Sequence, residues 1–181
     1  MNSTRADLLV LGLGNVLLSD DAVGPAAVAH LRRSYLIPDG VLCLDGGTLG
    51  LSLLPYLEDA RKVILVDAVL EDGPPGTLVR LRGSDVGPAV ATRLSPHQIG
   101  VADMLQGARW HDREPAQVVL LGIVPQSIEL GAGLSAPVAA SMSDLIDMIC
   151  AEAAACGHQL WPKASFEIDF DIARWLEGPR V

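Results

Sequence analysis

The stretch that most constrains this chain runs from Leu8 to Gly24, LLVLGLGNVLLSDDAVG. Leu8, Leu9, Val10 and Leu11 read as a buried strand, and Gly12-Leu13-Gly14-Asn15 as the sharp turn that ends it. Two adjacent acids follow, Asp20 and Asp21. Gly24 then reads as a helix cap with Pro25 at the first helical position. Strand, glycine turn and helix start make the front half of a βαβ unit, and loops at that position carry the chemistry of α/β proteins.

The remainder repeats the alternation. A helix is predicted over 25–33, with Val23, Ala27, Val28 and Leu31 on one face. A second buried strand is predicted over 41–44, ending in Asp45-Gly46-Gly47-Thr48, and a short helix over 51–57 with Pro55 as a flaw in it. KVILVD at 62–67 is continuous and rich in β-branched residues, as a parallel strand covered on both faces should be. TLVRLR at 77–82 alternates and reads as an edge strand with one wet face. Ser95-Pro96-His97 opens a helix running to about residue 108, VVLLGIV at 118–124 is the fifth strand, and Ser135 or Ala136 starts a long helix that Gly157 ends. The fold class is α/β: a three-layer α/β/α sandwich around a five-stranded, mostly parallel twisted sheet.

At 181 residues the chain suits one domain, able to bury roughly 70% of its unfolded surface. Half the residues are hydrophobic but only 4% are aromatic, so the core is aliphatic. No linker divides the chain. We assign 1–157 to a single domain and 158–181 to a C-terminal extension, whose SFEIDFDIARWLEG reads either as a packing segment or as a partner-docking one.

Charge and cysteine usage narrow the function. The net charge is −9, and no basic cluster exceeds Arg32-Arg33, which argues against nucleic acid. No apolar run approaches the ~18 residues of a membrane span. The first apolar run is broken by Gly14-Asn15 and followed by acids, unlike a signal peptide. Cys43, Cys150 and Cys156 are odd in number and form no CxxC, so they read as buried thiols of a reducing compartment, and a cytoplasmic protein is expected.

Three strand ends carry acids: Asp20 and Asp21 after the first, Asp45 after the second and Asp67 after the third. In a parallel sheet these loops leave from one edge, where open α/β sheets bind ligands. A helix starting at Ser95, after an antiparallel edge strand, could bring His97 back to that edge. Two carboxylates and an imidazole there would make a metal site with open positions. Each residue also has a plainer reading: Asp21 as a capping acid, Asp67 as a turn residue, Asp45 as a loop brace and His97 as a first-turn surface histidine. His30, His111 and His158 lack such a context and read as surface. Gly12-x-Gly14 is not a dinucleotide fingerprint, because Leu17 stands where the third glycine belongs and the following acids would repel a pyrophosphate.

The blocks Leu11-Gly12-Leu13-Gly14-Asn15 through Asp20-Asp21-Ala22-Val23-Gly24, then Asp45-Gly46-Gly47-Thr48, Val66-Asp67-Ala68, Ser95-Pro96-His97-Gln98 and Gly122-Ile123-Val124-Pro125 resemble, in order and spacing, the maturation endopeptidases of nickel–iron hydrogenases. The resemblance spans about 7–157. It implies an endopeptidase that removes a C-terminal extension from the hydrogenase large-subunit precursor after nickel insertion. The nickel is supplied by the precursor, and no obligatory metal of the enzyme's own is implied. The metal-binding and catalytic positions would fall on Asp21, Asp67 and His97, although Asp21 stands where glutamate is commoner. Asp45, with Gly46, Gly47 and Thr48, matches a substrate-recognition position, and Gly12, Gly14, Asn15 and Gly24 would shape the loops. A monomer is expected. Two rivals remain: a metal-dependent hydrolase of another class with its own metal, and a non-catalytic maturation chaperone.

Overall fold

The computed structural model describes residues 6–86 and 100–164. Five strands form the main sheet: β1 (Ala6–Leu13), β3 (Val41–Gly47), β4 (Ala60–Ala68), β5 (Leu78–Arg82) and β6 (Gln117–Ile123). Their order is β3-β1-β4-β6-β5, parallel throughout except for β5, which runs antiparallel along β6. That is the expected α/β class with the expected edge strand.

Side-chain alternation splits each aliphatic strand between two cores. Leu8, Val10, Ile64, Val66, Val119 and Leu121 face α1 (Val23–Ser34) and α4 (Ala136–Ala155). Leu9, Leu11, Val63, Leu65 and Leu120 face α2 (Leu54–Glu58) and α3 (Gly100–Trp110). Both faces of β1 and β4 are thus covered, and this is why their sequences run continuously apolar.

The local differences from the sequence reading have physical causes. Helix α1 begins at Val23, not after Gly24, because a 3-10 turn at Ser19–Ala22 leads straight into it. Pro55 is no flaw: it lies in the first turn of α2, where its missing N–H has no helical partner to lose. Gly157, at φ +93, closes α4 in a Schellman arrangement, with His158 N–H donating to Ala153 O and Gly157 N–H to Ala154 O. The chain continues in order past 157. Leu160 is buried, and β7 (Trp161–Pro162) pairs antiparallel with β2 (Tyr35–Leu36). Two-residue strands carry no periodicity, so this small sheet left no signal in the sequence. His30 is not a surface residue: it is 5% exposed and meets the Tyr35 ring edge-on, centroids 6.1 Å apart. Residues 165–181 of the predicted extension, and the predicted helix start at Ser95, lie outside the described residues.

Candidate active site

The carboxyl ends of β3, β1, β4 and β6 lie side by side, with Asp45 in register with Gly12, Gly12 with Val66, and Asp67 with Gly122. Just past them the chain is packed backbone against backbone. Gly14 has φ +126, and a Cβ there would lie 1.8 Å from the Asp21 carbonyl oxygen. A Cβ on Gly24 would come within 2.2 Å of Leu13 O and 2.4 Å of Val66 O. Both glycines are therefore close-approach positions, and Gly24 seats the first turn of α1 on β1 and β4 instead of capping the helix.

This packing sets Asp21. Its Oδ2 accepts the Asn15 N–H at 2.7 Å, and Asn15 Oδ1 in turn accepts the Leu17 N–H at 3.0 Å, an Asx turn. Asp67, the penultimate residue of β4, is 3% exposed and lies on the face that also carries Val63 and Leu65. Asp21 thus borders the Leu13–Asn15 turn, and Asp67 stands one residue past Val66, the register partner of Gly12 on the adjoining strand. Helix α3 leads through residues 111–116 to the amino end of β6, so its first residue, Gly100, faces the same carboxyl edge. His97 lies outside the described residues. Among the described residues, no three His, Cys, Asp or Glu side chains gather closely enough to hold a metal.

Asp45 is turned the other way. By alternation it shares the α1 face with Cys43, while Gly46 packs on Leu11 and Leu53 opposite. Its Oδ1 accepts the Gly47 N–H at 3.0 Å, and with Arg32, Arg33, Val28 and Ala29 it lines a cleft of about 380 Å³. Burial pushes its carboxyl above the ordinary range, against the pull of the Gly47 N–H and the Arg32 guanidinium. Gly47, at φ +45, accepts the Gly14 N–H and ties the β3 loop to the β1 turn, and Thr48 is exposed beyond it.

A family model described as hydrogenase maturation protease matches residues 25–152. The chain belongs to the hydrogenase maturation protease family. The hydrogenase 2 maturation protease of Escherichia coli K12 is 36% identical over 157 residues, covering 86% of this chain and 96% of that one. A hydrogenase expression/formation protein of Rhodobacter capsulatus, HupD, is 40% identical over 148 residues, 81% of this chain and 69% of its own. The solved HybD endopeptidase of E. coli superimposes with a TM-score of 0.84 at 36% identity, covering 87% of this chain and 98% of that one. The HybD protease of Thermococcus kodakarensis does so at 0.65 and 28%, covering 82% and 99%.

In this maturation protease the acid of the pair to which the sequence assigned no role, Asp20, is structural. It is fully buried and takes four hydrogen bonds: Gln126 N–H at 2.8 Å, Ser127 N–H at 3.1 Å, Ser135 N–H at 2.6 Å and Ser135 O–H at 2.8 Å. It thereby fastens the whole loop between β6 and α4 to the turn that carries Asp21. Beside it Ser19 is held at φ +46, its N–H donating to Gly131 O and its O–H to Glu129 O. A 3-10 turn sends successive side chains about 120° apart, so one of two adjacent acids goes inward and the other to the rim. The sequence shows that there are two acids but not which one turns in.

Proposed function

We propose that this maturation protease cuts the C-terminal extension from a nickel–iron hydrogenase large-subunit precursor, and does so only after nickel has been inserted. The observation that carries the reading is the pair of shielded carboxylates at the carboxyl edge of the sheet, Asp21 bonded to the Asn15 N–H of the glycine turn and Asp67 one residue past the register partner of Gly12. The nickel arrives as part of the substrate. Carboxylate oxygens and an imidazole nitrogen suit a borderline ion already held by thiolates, so Asp21, Asp67 and His97 would complete its coordination and make the metal a checkpoint. Hydrolysis then needs a water directed at the scissile carbonyl and a group to take its proton. Either the metal activates that water, or one of the two aspartates serves as the base instead of holding the metal. The enzyme acts as a monomer in the cytoplasm, a setting consistent with free thiols at Cys43, Cys150 and Cys156.

Purified protein incubated with nickel-loaded and nickel-free precursor tests the reading, with cleavage followed by mass spectrometry. Only the loaded precursor should be cut, and Asp67→Asn or His97→Ala should abolish cutting at unchanged melting temperature. Equal cleavage of both precursors overturns the checkpoint, and a tightly bound stoichiometric metal in the isolated enzyme favours a hydrolase with its own ion. A pH–rate profile unchanged in Asp21→Asn would remove Asp21 as the base.

A further inference from the structure

Four of the described loops at the carboxyl edge share an unusual composition. Residues 14–22, 48–53, 69–77 and 124–135 contain no Lys, Arg or His, although the chain has 13 Lys and Arg residues. They do present exposed aliphatic side chains: Leu17, Leu49, Leu51, Leu70, Ile128 and Leu130, from 39% exposed at Ile128 to 84% at Leu130. Glu71, Asp72 and Glu129 are exposed among them. Apolar side chains brought to one edge by four separate loops bury nothing in the described fold, and such a patch marks an interaction surface.

We infer that this rim is the docking surface for the precursor, and that it selects a partner segment carrying aliphatic side chains interspersed with Lys or Arg. The inference rests on the peptidase reading above and adds to it the chemistry of the surface recognised. Charge decides the occupant. A second copy of this chain would bring a net charge of −9 and the same acidic rim against an acidic rim. The chain's own tail, 165–181, carries four acids (Glu167, Asp169, Asp171 and Glu177) against Arg174 and Arg180, which also disfavours it here. A basic, apolar segment of another protein meets both features: its cations face Glu71, Asp72 and Glu129 while its aliphatic groups cover the leucines. Attraction between such surfaces speeds encounter and weakens with salt, whereas apolar burial holds the complex once formed.

The test uses the full chain and the nickel-loaded precursor, with cleavage kinetics and surface plasmon resonance measured in parallel. Leu49→Asp with Leu130→Asp should raise KM at least tenfold and weaken binding to match, leaving kcat within about twofold and the melting temperature unchanged. Glu71→Lys, Asp72→Lys and Glu129→Lys together should slow association at low salt and remove its salt dependence. Leu36→Asp with Trp161→Asp, exposed on the small β2–β7 sheet, should change neither quantity. Rim variants that bind and cut like wild type overturn the docking surface while leaving the peptidase reading intact, and return the tail or a second copy as the occupant. Wild type that binds without cutting overturns the peptidase reading, and the same variants still read the docking surface through binding alone. Wild type that does not bind overturns the docking proposal.

Discussion

The two edges of the sheet are held by different physics. At the amino edge and around the flanks the charges are paired: Arg61 with Asp7, Arg113 with Asp59 and Glu58, and Arg109 with Glu114, with the His111 ring hydrogen-bonded to Glu58. Most of these partners are about half exposed, where a pair contributes at most about 1 kcal/mol. At the carboxyl edge the described loops have no cation to pair with. They are held by glycine backbone contacts and by the buried Asp20 instead. An edge fixed without its surface side chains can leave them for a partner, while one fixed by surface ion pairs has used them. That contrast separates the face that works from the face that only closes the fold.

Gly24→Ala should break the contrast most severely. On helix propensity alone the change gains about 1 kcal/mol. Against that, the new Cβ meets backbone atoms of Leu13 and Val66 at 2.2 to 2.4 Å, and backbone on two strands cannot swing away as a side chain does. Overpacking wins, and the loss should be on the order of 4 kcal/mol, a large part of the stability of a domain this size. Urea denaturation reads it. A stabilised variant would show that the helix seat is loose and that the carboxyl edge is not built on backbone contact.

The next test separates the two neighbouring acids. Asp20→Ala removes a buried acceptor and strands the N–H groups of Gln126, Ser127 and Ser135, so it should cost about 3 kcal/mol and loosen the loop they belong to. Asp21→Ala removes the acceptor of the Asn15 N–H at the rim of the site, and should cost less, about 1 kcal/mol, while abolishing processing. Denaturation midpoints and precursor cleavage, measured on both variants, give the comparison. Equal stability losses would mean that both acids are structural.

The same pair shows how much could be read from the chain alone. Runs such as KVILVD and VVLLGIV allow only strands covered on both faces, and a sheet of such strands places every following loop on one edge, so the layers and the edge were legible. What stayed hidden depends on which way a side chain points. Asp45 ends its strand as Asp67 does, yet faces the α1 layer because it falls on the opposite parity. Gly24 has a cap's neighbours but serves as a contact, and nothing local to the sequence encodes the strand it touches.

The smallest expected effect belongs to the other end of α1, where a buried group offers a pH-dependent counterpart. Burial first, and the Arg33 guanidinium second, lower the His30 pKa below 6.5. The folded state therefore binds this proton less readily than the unfolded chain does. Stability from His30 is fully present above pH 6.5 and is lost as pH falls from there through the lowered folded value. His30→Phe keeps a ring against Tyr35 and removes the titration, so stability measured from pH 7.5 down to 5 should fall less steeply in the variant than in wild type. The carboxyl edge, fastened by hydrogen bonds to backbone, contributes nothing to that difference. A slope unchanged in His30→Phe would move the source of acid sensitivity to the carboxylates and remove the division between the two ends.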